Sequence, residues 1–443
     1  MIESVLVANR GEIARRVIRT AKRLGIRAIA VYSEADAQLP FVREADEAVL
    51  IGPANPAQSY RHTEAILAAA KRTGAQAIHP GYGFLSENAD FARAVAAHGL
   101  IWVGPGADAI AAMGDKINAR NLMAFAGVPV APGTPDPVRT VDVALDAAKQ
   151  IGYPIMVKAA AGGGGMGMAV AVDDAALEME FERVRGFAER MFGDGSVLLE
   201  RYFPRVRHVE VQILGLADGT VVALGERECS VQRRNQKLVE ESPSPALTPA
   251  VRERLLAAAV KAGEAVGYRN AGTVECLFDP ATKDFFFLEM NTRLQVEHPV
   301  TESVFGIDLV EAQFRVASGL EVEVPTTPSG HAIEFRINAE DPKRFLPGPG
   351  AITTWVEPTD LPGVRVDAGY EAGTVVTPNY DSLMAKLIVF GADRHEAIER
   401  ARAAVAAFQV AGPKNNLPFF VELLGNAEFI SGDYDTALVS RMR

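Results

Sequence analysis

Two β-rich runs near the middle of the chain read Gly272-Thr-Val-Glu-Cys-Leu-Phe-Asp279 and Phe285-Phe-Phe-Leu-Glu-Met-Asn-Thr-Arg-Leu-Gln-Val-Glu-His-Pro-Val-Thr-Glu302. Between them lies Pro280-Ala-Thr-Lys283, whose composition is typical of a turn. The pattern therefore predicts an antiparallel hairpin. If the centre of the hairpin lies near Thr282, the side chain of Glu275 lies opposite that of Glu289.

This opposition of two carboxylates indicates a metal site. Directly opposed side chains have Cβ atoms about 4.5–5.5 Å apart, and like charges there repel unless a cation lies between them. Asn291 points to the same face as Glu289, and such oxygen ligands suit Mg²⁺ or Mn²⁺. The same parity continues through Arg293, Gln295 and Glu297, which adds a cation, an amide and a candidate base. The alternative is an antiparallel edge whose outer face is merely solvated.

Composition narrows the class of protein. The 443 residues predict two to four domains, with an apolar content of 48% that is typical of globular proteins. A net charge of −11 without a lysine-rich run argues against a nucleic-acid partner. Cys229 and Cys276 form no CxxC pair, which argues against structural zinc and disulfides and fits a reducing compartment. There is no signal peptide before the first strand-like run and no apolar run of the roughly 20 residues that a membrane helix needs, so we expect a cytoplasmic location.

The N-terminal third has the rhythm of a doubly wound α/β fold. A strand at Val5–Ala8, a tight turn at Asn9–Glu12, a helix to about Leu24 and a strand at Ala28–Tyr32 follow one another. The GxGxxG fingerprint is absent from the first turn, which disfavours a nicotinamide dehydrogenase. Similar units continue, and a further helix is predicted around Asp108–Ala126.

A glycine-rich loop follows the strand that ends at Lys158. It reads Ala159-Ala-Ala-Gly-Gly-Gly-Gly-Met-Gly-Met168 and leads into another strand, Ala169–Val172. This context differs from the strand–loop–helix of a P-loop, and the GxxxxGK[ST] motif is absent. Its backbone N–H groups would approach phosphate, with Lys158 as the cation, and the loop would hinge as a lid. An ordinary loop is the alternative, but consecutive glycines are entropically costly.

Taken together, these motifs resemble the biotin carboxylase family of the ATP-grasp superfamily over essentially the whole chain. The motifs that carry the resemblance are Ala8-Asn-Arg-Gly-Glu-Ile13, His79-Pro-Gly-Tyr-Gly-Phe-Leu-Ser-Glu-Asn88, Gly114-Asp-Lys116, the glycine-rich loop, Gln232-Arg-Arg234 with Lys237, Glu289-Met-Asn-Thr-Arg293 with Gln295-Val-Glu-His298, and Arg336-Ile-Asn-Ala-Glu-Asp341. The resemblance implies an α/β and α+β fold. Its expected parts are a Rossmann-like N-terminal domain (1–114), an ATP-grasp core (115–330) with a mobile lid at about 131–203, and a C-terminal biotin carboxylase domain (331–443). It also implies ATP-dependent carboxylation of biotin by bicarbonate through carboxyphosphate, the first half-reaction of acetyl-CoA and acyl-CoA carboxylases.

The resemblance also assigns roles to individual residues. The implied nucleotide ligands are Lys116, Lys158, Gly164, Gly165, Glu200, Arg201, Tyr202, Phe203, His208, Gln232, Asn235 and Leu277. The implied metal ligands are Glu275, Glu289 and Asn291, which the hairpin pattern also predicts. The implied bicarbonate site is Lys237, Arg293, Gln295 and Val296, with Glu297 as the base that deprotonates bicarbonate. Arg336 is implied beside the ureido oxygen of biotin, with Tyr82 and Asp381 nearby, and the implied catalytic set is Lys237, Arg293, Glu297 and Arg336.

Some positions depart from the commonest family pattern. Asn235 stands where histidine is frequent, Arg201 where lysine is, Met166 where arginine is, and Ala161 where glycine is. At the dimer face of the family Arg19 and Arg365 match, but Arg23 and Pro362 replace the usual acid and aromatic residue. A homodimer is expected on this partial match.

The expected cofactors are ATP and Mg²⁺ or Mn²⁺, with biotin as a substrate on a carrier protein. The chain has no Met-Lys-Met biotinylation motif, so the biotin carboxyl carrier protein and the carboxyltransferase are expected as separate chains. Two other functions stay open at this point, another ATP-grasp ligase that makes an acyl-phosphate and a nucleotide-binding regulatory protein with an inactive site. The intact set of predicted metal and catalytic residues argues against the second.

Overall fold

A parallel sheet with helices on both faces occupies the N-terminal part of the chain. The computed structural model describes residues 1–160 and 167–443. The N-terminal elements are β1 (Ser4–Val7), α1 (Gly11–Arg23), β2 (Arg27–Ser33), α2 (Pro40–Glu44), β3 (Glu47–Gly52), α3 (Thr63–Thr73), β4 (Ala77–His79), α4 (Ala89–Ala97), β5 (Ile101–Trp102) and α5 (Ala107–Gly114). The strands lie in the order β3-β2-β1-β4-β5 and pair in parallel. Val5 packs in one core with Ile13 of α1, and Leu6 packs in another with Ile66 of α3, so the predicted doubly wound unit is confirmed.

The sequence predicts one helix around Asp108–Ala126. This prediction is wrong in one respect, because the structure has two helices there, α5 and α6 (Lys116–Phe125). Asp115 separates them with extended backbone angles, and its carboxylate accepts hydrogen bonds from two N–H groups of the following turn. Asp115 thus caps the second helix. The break places Lys116 at the first position of α6.

A small antiparallel sheet and two helices form a unit with its own core. Its elements are α7 (Val141–Ile151), β6 (Ile155–Ala159), β7 (Met168–Ala171), α8 (Asp174–Phe192) and β8 (Val197–Arg201). The strand order is β7-β6-β8, and the core includes Val157, Phe181 and Leu199. The glycine-rich loop joins β6 to β7 as predicted. Its residues 161–166, which include the predicted ligands Gly164 and Gly165, lie outside the described residues.

A long antiparallel sheet connects the rest of the chain. The elements are β9 (Arg207–Gly215), β10 (Val221–Arg233), β11 (Gln236–Ser242), α9 (Pro249–Ala265), β12 (Asn270–Asp279), β13 (Asp284–Asn291), α10 (His298–Phe305), α11 (Leu309–Ala317), β14 (His331–Asn338), β15 (Gly350–Ala351), β16 (Thr354–Val356), β17 (Val364–Ala368), β18 (Val375–Val376), β19 (Leu383–Gly391), α12 (Arg394–Ala407), β20 (Gln409–Ala411), α13 (Leu417–Leu424), α14 (Ala427–Ser431) and α15 (Leu438–Arg441). The sheet order is β13-β12-β9-β10-β11-β14-β19-β17. Because Val239 of β11 pairs with Phe335 of β14, the sheet continues past residue 331, where the sequence predicts a new domain. Across the part of the chain that the structure describes, no helix has the length and apolar character needed to cross a membrane.

The hairpin of β12 and β13 has the predicted opposition of Glu275 and Glu289. The strands close at Asp279 opposite Asp284, and an extra residue, Leu288, bulges out between the pairs Cys276–Phe287 and Glu275–Glu289. The predicted continuation of the strand parity to Glu297 is wrong. β13 ends at Asn291, and Glu297 is the residue that precedes α10.

Candidate functional site

A cavity of about 1320 Å³ opens between the N-terminal sheet, the β6–β8 unit and the long sheet. The predicted site residues that line it are Tyr82, Lys116, Lys158, Glu200, Arg201, Tyr202, Phe203, His208, Gln232, Asn235, Lys237, Glu275, Leu277, Glu289, Asn291, Arg293, Gln295, Val296, Arg336 and Asp381. Glu297 is fully buried and reaches the cavity through its neighbours. The long sheet and the loops around it therefore bring the predicted residues to one place.

The ammonium group of Lys237 lies among three carboxylates. Its Nζ atom is 2.6 Å from Glu210, 2.9 Å from Glu275 and 2.6 Å from Glu297. Burial alone would lower the pKa of Lys237, but the three negative charges hold this pKa well above its ordinary value. Lys237 is therefore a permanent cation at the cavity wall.

Glu297 connects the two cations on which the predicted chemistry depends. Its Oε1 accepts a hydrogen bond from Lys237 at 2.6 Å, and its Oε2 accepts one from Nη2 of Arg336 at 3.0 Å. Burial would raise the pKa of Glu297, but the charges of Lys237 and Arg336 hold it far below its usual range. Such a carboxylate is a weak base until a neighbouring cation is drawn away, as an anion bound at Lys237 would do.

The predicted metal ligands lie where the strand register places them. Glu289, Glu275 and Glu210 follow one another across β13, β12 and β9. Oε1 of Glu275 accepts a hydrogen bond from Asn291 at 2.8 Å, and Oε2 lies 2.8 Å from Nε2 of His208. Burial and then the charge of Glu275 raise the pKa of Glu289. Two opposed carboxylates with an amide beside them are hard oxygen donors, so these residues fit Mg²⁺ or Mn²⁺.

Arg293 is fixed on three sides. Its Nε donates to Glu87 at 2.9 Å, and its two Nη atoms donate to Gln295 and Asn291 at 3.0 Å each. Burial would lower the pKa of Arg293, but the charge of Glu87 and the hydrogen bond to it raise this pKa. Glu87 was not predicted as a site residue, although it lies within the quoted motif 79–88.

Two further carboxylates at the site were missed. Oε1 of Glu210 accepts a hydrogen bond from Arg227 at 2.6 Å, and Oε1 of Glu240 lies 2.5 Å from Nη2 of Arg336. Glu210 has the same strand parity as His208, so parity was a usable signal for it. Glu240 carried no such local signal, because its contact depends on the pairing of β11 with β14.

The other wall of the cavity carries the predicted nucleotide ligands. Lys158 on β6 forms an ion pair with Glu200 on β8. Phe203 stacks on Phe286 of β13 with ring centroids 4.8 Å apart and planes within 18°. This wall offers a cation and a flat apolar surface, which suit the phosphate and the base of a nucleotide.

Asn235 lies in the tight turn between β10 and β11. Arg234 and Asn235 have φ angles of 49° and 65°, and the flanking residues Arg233 and Gln236 pair directly. Both turn residues therefore adopt the left-handed conformation of a two-residue hairpin loop. Asparagine is enriched in this conformation, so the replacement of the usual family histidine suits the backbone here.

Three parts of the chain match known protein families. Residues 1–110 match the family model described as biotin carboxylase, N-terminal domain, residues 115–324 match carbamoyl-phosphate synthase L chain, ATP binding domain, and residues 334–441 match biotin carboxylase C-terminal domain. Biotin carboxylase 2 of Bacillus subtilis (strain 168) is 48% identical over 439 residues, which cover 98% of each protein.

Solved structures show the same similarity. A Campylobacter jejuni biotin carboxylase in a complex described as β-γ-ATP has a TM-score of 0.95 and 44% identity, covering 100% of this chain and 99% of that one. The biotin carboxylase domain dimer of Hydrogenobacter thermophilus 2-oxoglutarate carboxylase has a TM-score of 0.93 and 43% identity, covering 100% and 98%. That structure contains MgADP, ADP and bicarbonate.

Proposed function

This chain belongs to the biotin carboxylase family, and we propose that it catalyses the ATP-dependent carboxylation of biotin by bicarbonate, the first half-reaction of acetyl-CoA and acyl-CoA carboxylases. The observation that carries the proposal is the position of Glu297, whose two carboxylate oxygens contact Lys237 and Arg336. A base between a cation for bicarbonate and a cation for biotin allows both chemical steps at one site. The products are carboxybiotin, ADP and phosphate.

The first requirement of the reaction is to bring an anion to the γ-phosphate of ATP. In this proposal Lys116, Lys158 and the backbone of the glycine-rich loop, with Gly164 and Gly165, bind phosphate oxygens, and the other predicted nucleotide ligands lie around the base and ribose. Glu275, Glu289 and Asn291 would hold a divalent cation, which supplies neutralising charge at the phosphate oxygens when bound. Positioning and electrostatics then provide most of the catalysis.

Bicarbonate is the nucleophile of the first step. We assign its binding to Lys237, Arg293, Gln295 and Val296. As the bicarbonate charge draws Lys237 away from Glu297, the basicity of Glu297 rises and it accepts the bicarbonate proton. A bicarbonate oxygen attacks the γ-phosphorus, the bond to ADP breaks, and carboxyphosphate forms.

Biotin is carboxylated in the second step. Carboxyphosphate releases CO₂ and phosphate within the site, and phosphate accepts the ureido proton of biotin. Arg336 stabilises the negative charge that develops on the ureido oxygen, and the ureido nitrogen attacks CO₂. Tyr82, whose hydroxyl donates to Glu12, and Asp381 are assigned to the same end of the cavity.

The proposal extends to domains and partners. We propose an N-terminal domain at 1–114, an ATP-grasp core at 115–330 with a lid at about 131–203, and a C-terminal domain at 331–443. Biotin arrives on a separate carrier protein, and a separate carboxyltransferase selects the final acceptor. A homodimer and a cytoplasmic location stay predictions from the sequence.

The test is the dependence of ATP turnover on bicarbonate and biotin. We expect slow, bicarbonate-dependent release of phosphate from ATP and its stimulation by free biotin, with formation of carboxybiotin. Turnover that needs another carboxylate instead of bicarbonate would assign the chain to a different ligase activity. Nucleotide binding without turnover under any of these conditions would indicate a regulatory protein.

A further inference from the structure

Two buried carboxyl groups lie opposite each other beside Arg336. Glu240 on β11 pairs with Glu334 on β14, and both side chains are fully buried. Directly opposed side chains have Cβ atoms about 4.5–5.5 Å apart, where two negative charges repel. This relationship differs from the Glu275–Glu289 pair, because neither Glu240 nor Glu334 is a predicted metal ligand.

The cations nearest to Glu334 already have other partners. Nη2 of Arg336 lies 3.0 Å from Glu297 and 2.5 Å from Glu240. Nζ of Lys386, which lies opposite Arg336 on β19, is 3.2 Å from Glu12 and donates to a backbone carbonyl at 2.9 Å. Arg336 and Lys386 thus pair with carboxylates other than Glu334, namely Glu240, Glu297, Glu12 and Asp367.

Glu334 itself has no such partner. Neither of its carboxylate oxygens has a hydrogen-bond donor among residues 1–160 and 167–443. An unpaired carboxylate in the interior is strongly unfavourable, which favours the protonated form of such a group. Within the described residues, its directly opposed cross-strand neighbour is Glu240, a second fully buried carboxyl group.

Other charged groups around the pair do not change this conclusion. Among the described residues, the groups that act electrostatically on the pair are Lys237, Glu297, Arg336, Lys386 and the Cys229 thiol on β10, and α10, which packs against β11 and β14, adds His298 and Glu302. Glu302 is paired with Arg16 at 2.7 Å, and burial holds the pKa of His298 well below its usual value. Burial raises the pKa of Glu240 to about 7. Burial also raises the pKa of Glu334, and the charge of Glu240 raises it further.

We propose that Glu240 and Glu334 share one proton, and that this carboxyl pair positions Arg336 while leaving its positive charge for the ureido oxygen of biotin. The inference rests on the proposed function of Arg336. If both carboxyls were ionised, Arg336 would face three negative groups, and its attraction for a developing negative charge would fall. A shared proton keeps the contact from Glu240 and removes one of those charges. Both glutamates are positioning residues, because neither is placed at the substrates.

The test compares pH profiles of two activities, biotin carboxylation and the bicarbonate-dependent ATP hydrolysis that needs no biotin. As pH rises through the raised pKa of the pair, the shared proton is lost, so the parent should lose biotin carboxylation relative to hydrolysis on the alkaline side. Glu334→Gln carries a hydrogen that does not titrate, so it should retain carboxylation within about threefold near neutral pH and lose the alkaline fall in this ratio. Glu334→Ala also removes the group whose hydrogen Glu240 would share, so the Glu240 carboxylate is left with Arg336 as its partner and carboxylation should fall below that of Glu334→Gln.

Glu226→Gln is the matched control, because Glu226 is a buried carboxylate on β10 that pairs with Arg252 at 2.8 Å and lies outside the cavity lining. It should leave the pH dependence of the ratio as in the parent. An alkaline fall in Glu334→Gln equal to that of the parent, or a tenfold loss of carboxylation in Glu334→Gln near neutral pH, would overturn the shared proton.

A second measurement does not depend on activity. Carbon-13 NMR of glutamate carboxyl groups in the parent should show a carboxyl, assigned by its loss in Glu334→Gln or Glu240→Gln, that is still protonated about two pH units above the ordinary glutamate pKa of about 4.3. Complete ionisation of every glutamate at that pH sinks the inference even if turnover is normal. A protonated pair in a protein without biotin-dependent activity would instead contradict only the proposed function.

Discussion

Lys237 and Glu297 share a hydrogen bond of 2.6 Å although 60 positions separate them in the chain. The contact joins β11, in the middle of the long sheet, to the segment that precedes α10. The Glu297 carboxylate also accepts a hydrogen bond from Arg336. A change in the charge of either cation therefore changes the basicity of Glu297. The following predictions separate the members of this arrangement.

Replacing Glu297 with Ala should strongly reduce both half-activities, because the variant lacks the carboxylate assigned as the base for bicarbonate. We expect a loss of about 10²–10⁴-fold, the usual contribution of a general base. The measurement is phosphate release without biotin and carboxybiotin formation with it. Hydrolysis that stays within about twofold of the parent would remove Glu297 from the first step.

Replacing Arg336 with Ala should affect mainly the second step. A single preorganised donor is worth roughly 10²–10³ in rate, so carboxybiotin formation should fall by that factor while much of the biotin-independent hydrolysis remains. Arg233→Ala is the control, since Arg233 lies on β10, two strands from β14, with its guanidinium 4.9 Å from the centroid of the Phe345 ring. Loss of both activities in Arg336→Ala, with unchanged ATP affinity, would move Arg336 to the phosphoryl-transfer step.

The two opposed metal ligands should differ in their effect on stability. In the absence of metal, Glu289→Gln should leave stability unchanged or raise it, because burial and the charge of Glu275 disfavour the ionised form of Glu289. Glu275→Gln should lower it by about 1–3 kcal/mol, because the hydrogen bonds to the charged Lys237 and His208 are weakened. Both variants should lose activity at saturating Mg²⁺. Urea unfolding without metal distinguishes them, and equal destabilisation would contradict the assigned electrostatics.

The buried carboxylate of Glu241 should contribute stability that depends on pH. Burial would raise its pKa, but the hydrogen bond from His331 and the charge of Arg394 hold it far below the usual range. A lowered pKa means that the contribution is present above the unfolded value of about 4.3 and is lost as pH falls below it. Glu241→Gln should therefore cost about 3–5 kcal/mol near neutral pH.

This cost should shrink in acid, as measured by urea unfolding at several pH values. Glu399→Gln is the matched surface control, because Glu399 forms an exposed pair with Arg402 at 2.7 Å. Its effect should stay below about 1 kcal/mol throughout. A cost of Glu241→Gln that does not change between neutral and acidic pH would show that its role is packing rather than charge.

Local patterns in the sequence predict some of these relationships and not others. Turn composition predicted the hairpin and the opposition of Glu275 and Glu289, but the position of the closure at Asp279–Asp284 and the compensating bulge at Leu288 were not predicted. The parity argument named Glu297 as a candidate base but gave it the wrong backbone, since the chain leaves β13 at Asn291 and turns into α10; the family resemblance named the same residue without depending on a strand. The pairing of Glu240 with Glu334 was beyond prediction, because nothing local specifies which distant strand lies beside β11.

Because of the bulge at Leu288, the alignment of the predicted metal ligands depends on the number of residues in β13 and not on which residue occupies position 288. Leu288 is 38% exposed, but its extra backbone unit reverses the face of the sheet to which every later side chain of β13 points. Deleting Leu288 would set Glu289 and Asn291 one position out of phase with Glu275, whereas lengthening the turn at 280–283 would leave that phase intact. In this hairpin a single-residue deletion is therefore more damaging than a larger insertion a few positions away.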